Sequence, residues 1–299
     1  MSDPSTRSNA GRGTLLVVLG ACGFGTISVL VSLSTGAGAP LLAVLFWRYA
    51  LAVPPLMAAA AYSRALRLDR QALTAMALAG LGQTLIAVIT LSALRYISVA
   101  TLAFLFYTFP AWVAVIARLR HSEPLTRPRL LALLLSLAGI VAMVGAPDTS
   151  LHPAGAALAL IGAVIYAAYI PLLDSLQQRS GSLATTAWMS VGASVLLGLL
   201  AMSRGEMTVA MHPTAWKAIV ALALMATAAA FILFMQGLRI LGSVRTAIVS
   251  TVEPFFTALL GALVLSQPLT RGTLIGGAMI AAAVVLLQLK SRDNGARTG

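Results

Sequence analysis

Ten runs of apolar residues, each about long enough to cross a bilayer, follow one another along this 299-residue chain with little between them. They fall at 13–34, 40–62, 71–94, 97–117, 128–146, 153–175, 183–203, 215–238, 244–266 and 271–289. A hydrocarbon core of roughly 30 Å takes about 20 helical residues at a rise of about 1.5 Å each. Leu, Ala, Val and Ile fill the runs without a break, whereas barrel strands alternate in polarity over roughly ten residues. The chain is 59% hydrophobic and 9% charged. A soluble domain carries roughly 25% charged residues, so this chain lacks the charges to cover a water-facing surface. The pattern predicts an all-α integral membrane protein of ten transmembrane helices. The polar ends, 1–12 and 290–299, are expected to be disordered cytoplasmic tails.

The first run follows Arg7 and Arg12 and precedes Ala37-Gly38-Ala39, which are the flanks of a cleavable signal. At about 20 residues it exceeds a signal core, so it is read as a retained helix. The single cysteine, Cys22, lies within it; no intramolecular disulfide can form, and a small apolar packing role is expected.

The net charge of +12 comes from Lys and Arg placed between the runs rather than in a basic patch. That placement sets membrane topology and argues against nucleic acid. With the N-terminus inside, alternate loops gather Arg7, Arg12, Arg64, Arg67, Arg70, Arg118, Arg120, Arg127, Arg129, Arg179, Arg239, Arg245, Lys290, Arg292 and Arg297 on the inner side. Arg95, Arg204, Lys217 and Arg271 fall outside, and Arg48 sits within a run. Both termini are therefore predicted cytoplasmic in an inner membrane.

The chain also repeats itself. Residues 94–143 slide onto 238–287 with no gap, a shift of 144. Leu94-Arg95 meets Leu238-Arg239, Pro110 meets Pro254, Ala114 meets Ala258 and Leu119 meets Leu263. Pro124-Leu125-Thr126-Arg127 meets Pro268-Leu269-Thr270-Arg271. Biased composition aligns leucines; it does not align two prolines, an arginine and a tetrapeptide. The expected organisation is a first five-helix repeat over 13–146 and a second over 153–289. Five is odd, so the second repeat enters the membrane from the opposite side. Inverted repeats around a central cavity are typical of secondary transporters working by alternating access.

The runs ALRYISVATLAFLFYTFPAWVAVIARL (93–119) and STVEPFFTALLGALVLSQPLTRGTLIGGAMIAAAVVLL (250–287), with Phe46-Trp47-Arg48-Tyr49 in helix 2, resemble the EamA family of the drug/metabolite transporter superfamily. Gln267 departs from it, standing where many members carry Glu. The resemblance covers essentially the whole chain. It implies an efflux carrier for small amphiphilic metabolites, with the YddG-like exporters of aromatic and neutral amino acids favoured. Multidrug or other metabolite export is the alternative.

Pro110 and Pro254 interrupt their runs at matching places, and each leaves unpaired the carbonyl four residues earlier, Phe106 and Ser250. Broken backbone at this depth lines a cavity or packs as a kink against protein. Helical spacing adds Phe104, Tyr107, Thr108 and Ala111 on one face, with Ile248, Thr251, Val252 and Phe255 as their counterparts. Gln83 corresponds to Thr227. Glu253 and Arg48 are charges at bilayer depth and are functional candidates by default. They pair with each other, bind the two poles of a zwitterion, or, for Glu253, carry a coupling proton. Trp188, Tyr166 and Tyr169 are further candidates for the cavity wall, and Trp47, Trp112 and Trp216 for interfacial anchors.

A membrane-embedded enzyme would cluster His, Asp or Glu. Here three His and eight acids are scattered singly, with no metal-ligand spacing or triad. No cofactor is expected. A channel needs a continuous polar stripe, and no run has one. The expected partners are a small-molecule substrate and the lipid bilayer. Both halves lie in one chain, so a monomer suffices.

Overall fold

The computed structural model describes residues 4–66, 69–93, 95–97, 99–120, 125–144, 152–266 and 268–297. The expectations that fell on Leu94, Pro124 and Gln267 lie outside these residues. Helices α1 (Pro4–Gly36) and α2 (Leu41–Tyr62) open the chain. Rod α3 covers 70–93 as Arg70–Thr74, a π-helical stretch Ala75–Ala79 and Gly80–Ala93. Rod α4 covers 99–119 in two pieces, Val99–Phe106 and Phe109–Leu119. Then follow α5 (Arg127–Val144), α6 (Pro153–Ser180) and α7 (Ser182–Ser203). Rod α8 (Pro213–Leu241) contains a second π-helical stretch, Leu222–Ala229. Rod α9 (Ser243–Leu265) is broken into Ser243–Val249 and Val252–Leu265, and α10 is Arg271–Arg297. Eight of these rods, all but α5 and α10, are long and apolar enough to cross a membrane.

Two ends differ from expectation. Residues 4–12 and 290–297 are helical rather than disordered. No proline interrupts α1 between Ser5 and Gly13, so the helix propagates outward once the apolar run has nucleated it. The starts and stops elsewhere have local causes. Asp69 caps α3 by accepting the Ala72 N–H at 2.9 Å. Pro153 and Pro213 begin α6 and α8, where a missing N–H costs nothing. Gly181 and Gly242 take positive φ, 81° and 78°, and turn the chain into α7 and α9.

The packing has an internal regularity. Rod α1 lies on α8 and α9, and α6 lies on α3 and α4. Rod α3 meets α7, and α2 meets α8. The pairs α2–α7, α4–α9 and α5–α10 join like positions of the two halves. Each of these contacts returns when α1–α5 is exchanged with α6–α10. The α3–α7 seam is backbone against backbone: a Cβ on Gly80 would stand 2.6 Å from the Gly192 Cα, and one on Gly192 would strike the Met76 carbonyl. At the end of the bundle where α7 leads to α8, residues 204–212 are tied down by side chains. Glu206 Oε2 accepts the Leu42 N–H at 3.1 Å, and the Trp47 and Trp216 indoles donate to the Thr208 and Val209 carbonyls at 2.9 and 3.3 Å.

Candidate functional site

Where α4 and α9 break, the α-helical hydrogen bonds give way to tighter ones. In α4 the Thr108 N–H reaches the Leu105 carbonyl at 3.3 Å, and Ala111 N–H reaches Thr108 at 3.0 Å. In α9 the Thr251 N–H reaches Ile248 at 3.3 Å, and Glu253 N–H reaches Ser250 at 3.0 Å. The Ser250 carbonyl expected to stand free behind Pro254 is therefore occupied, because one tight turn recovers the bond the proline removes. Thr108 and Thr251 hydroxyls cap the same turns, donating to the Leu105 and Ile248 carbonyls at 2.6 and 2.7 Å. Pro110 sits at the first positions of the piece that resumes in α4, and Pro254 in the first turn of the piece that resumes in α9.

Each break delivers a polar side chain to the interior. Tyr107, on the turn in α4, is buried and lies within hydrogen-bonding reach of the Glu253 carboxylate from α9. Arg48 of α2, only 5% exposed, is within electrostatic reach of that carboxylate. Its Nε donates instead to Thr227 Oγ1 at 2.7 Å, deep in the π-helical stretch of α8. Thr227 passes the bond on to the Leu222 carbonyl, five residues back, at 3.1 Å. A π-helical turn leaves room for that longer reach. The Arg48 guanidinium also rests over the Tyr49 ring, 5.1 Å from its centre. A cation on an aromatic face keeps part of the stabilisation that water would have given it. Gln83 of α3 adjoins the Tyr49 hydroxyl, and its own side-chain oxygen is buried without a partner among the described residues.

Aromatic rings close the remaining sides. Tyr166 of α6 stands edge-on to Phe109 at 4.7 Å between ring centres and tilted to Phe106 at 5.4 Å. Tyr107 packs on both phenylalanines, at 5.9 and 6.0 Å. Tyr166 is also within electrostatic reach of Glu253 and Tyr49. Tyr169 continues the group and donates its hydroxyl to the Ala79 carbonyl at 2.9 Å, where the π-helical stretch of α3 ends.

Of the residues marked in the sequence, Arg48, Gln83, Tyr107, Thr227 and Glu253 come together here with Tyr166. Thr108, Thr251 and the buried Ile248 form the turns beneath them. Phe104 is half-buried on α4, and it is Phe106 whose ring joins the group. Trp188 lies elsewhere: it lines a cavity at the end of the bundle where α6 turns into α7. Tyr49, Phe106 and Phe109 were not marked as wall residues. The repeat itself points to Phe109, since a shift of 144 places it on Glu253.

A bundle of apolar rods, broken at depth around a half-buried carboxylate and a buried guanidinium, defines a polytopic membrane protein with an internal polar site. Residues 11–145 and again 153–289 match the EamA-like transporter family. The chain belongs to that family. An uncharacterized inner membrane transporter of Salmonella typhimurium, YicL, is 32% identical over 190 residues, covering 61% of this chain and 60% of the relative. An uncharacterized transporter of Bacillus subtilis, YcbK, is 25% identical over 191 residues, covering 61% of each. An uncharacterized transporter of Archaeoglobus fulgidus is 29% identical over 197 residues, covering 66% of this chain and 69% of the other. The first two matches thus span about three fifths of the relatives' length. A crystal structure 20% identical in sequence superposes with a TM-score of 0.80 over 94% of this chain and 98% of that one; it has the same fold.

Proposed function

We propose that this protein is a secondary transporter exporting small amphiphilic metabolites, foremost aromatic and neutral amino acids, by alternating access. The observation that carries this reading is the meeting of Glu253, Arg48 and Tyr107 among aromatic rings at the two helix breaks. A carboxylate suits an ammonium group, and a guanidinium suits a carboxylate in planar, two-pronged fashion. Tyr107, Tyr166, Phe106 and Phe109 offer flat apolar faces to a side chain between them. Mostly apolar walls with a few placed polar groups are how small-molecule sites usually look.

Ten spanning helices in two inverted halves underlie this reading, with both termini in the cytoplasm. It is supported by packing that survives exchange of the halves, by the matched breaks, and by the two family stretches. Two such halves give two arrangements of similar energy, open to opposite sides.

Flux through proteoliposomes, over a panel of amino acids and cationic drugs, tests the function. Saturable, competable flux of aromatic amino acids supports it. Flux of quaternary ammonium drugs alone shifts the reading to multidrug export, and no flux of either class overturns the carrier. Cysteine labelling at positions 127 and 271 tests the topology: the two sites are expected in opposite compartments, and the same compartment for both sinks the inverted design.

A further inference from the structure

At the end of the bundle where α2 turns into α3 and α6 into α7 there is a cavity of about 320 Å³, apart from the Glu253 group. Arg64, Asp69, Gln71, Arg179, Ser180 and Trp188 are among the residues lining it. A hollow of about 180 Å³ adjoins it, sharing Gln71, Arg179 and Ser180 and adding Arg70. Among the described residues, three arginines and one aspartate line these hollows, and the aspartate is engaged: Asp69 Oδ1 holds the Ala72 N–H. The cavity keeps an excess of positive charge. Trp188 adds an indole ring to its wall.

We propose that this cavity binds a phosphate-bearing anion, gripped by Arg64 and Arg179 beside the Trp188 ring, with Arg70 at the rim. Guanidinium forks match the oxygens of a tetrahedral oxyanion, and the bonds are strengthened by charge on both sides. The volume admits a headgroup rather than a bare ion. The position, at helix ends beside the bilayer surface, is where basic pockets meet lipid headgroups. A phospholipid headgroup and a soluble phosphate ester share this chemistry. The site is independent of the proposed transport reaction, so either stands if the other falls.

The test uses the full-length chain in mild detergent and in nanodiscs. Native mass spectrometry compares retention of phosphatidylglycerol and phosphatidylcholine, and glycerol 3-phosphate is titrated against tryptophan fluorescence. A lipid ligand is retained about tenfold less by Arg64→Gln/Arg179→Gln, and less by Arg179→Gln alone. Arg118→Gln, at the far end of α4, leaves retention unchanged. A soluble ligand shows instead as saturable glycerol 3-phosphate binding lost in the same variants, with no preference for phosphatidylglycerol. Either result supports the site. Binding of neither probe overturns it, as does an equal loss in Arg118→Gln, which would mark the effect as net charge. Should the double variant fail to elute as a single folded peak, Arg179→Gln alone decides: unchanged binding of both probes overturns the site.

Discussion

The breaks in α4 and α9 share a place in the repeat and almost nothing in chemistry. Both turn on i-to-i−3 hydrogen bonds capped by a threonine hydroxyl, and both have a proline beside the turn. At the position where α9 carries Glu253, α4 carries Phe109; where α4 carries Tyr107, α9 carries Thr251. One half supplies rings and a phenol, the other a carboxylate and hydroxyls. The α3 and α8 rods differ in the same way. Both have a π-helical stretch, yet only that of α8 holds Arg48, through Thr227. Duplication thus preserved the bends that shape the interior and left the side chains on them free to diverge. A site made of two identical halves would recognise a symmetric solute. This one has poles.

Five measurements break or sharpen the contrast. The largest effect is expected from Glu253→Gln, which removes the only acid at the breaks: flux of ammonium-bearing solutes in proteoliposomes should fall about 10- to 100-fold, the scale of a lost charged hydrogen bond. Flux unchanged at every pH would show that Glu253 carries neither solute nor proton. Moving the acid across, by Phe109→Glu with Glu253→Phe, should leave the protein inactive, because the ring against Tyr166 is lost as the charge is moved. Restored flux would show the halves to be interchangeable after all. Arg48→Met should raise the KM of carboxylate-bearing solutes about tenfold, and leave amines without a carboxylate unaffected; equal loss for both would make Arg48 a scaffold. Gly192→Val should destabilise the α3–α7 seam by about 1–3 kcal/mol, read as a lower melting temperature in detergent, without changing selectivity. Thr251→Val should be the mildest, about 0.5–1.5 kcal/mol for one hydroxyl bond, again read by melting.

The helices were legible because hydrophobicity over twenty residues is a property of composition, and composition is local. The ends were less so: nothing in Ser5 to Arg12 forbids a helix, and polarity alone does not stop one. The breaks were legible through Pro110 and Pro254, which act by removing a backbone donor. How the freed carbonyl is re-used was not, since the Glu253–Ser250 bond depends on the geometry of the turn. Arg48, Gln83, Thr227 and Glu253 stood out as polar groups in apolar runs. Tyr49, Phe106 and Phe109 did not, because an aromatic residue in a membrane helix looks the same whether it faces lipid or a site. Trp188 is the converse case, a residue marked for its chemistry whose neighbours only the fold reveals.

The three ties on residues 204–212 have a mechanical consequence. Glu206 grips the first turn of α2, while Trp47 of α2 and Trp216 of α8 hold the neighbouring carbonyls. The segment cannot flap by itself as a hinged cover would. In the proposed alternating access, a swing of α2 would haul it along, and α8 with it, so opening at that end would take whole rods tilting rather than a loop lifting.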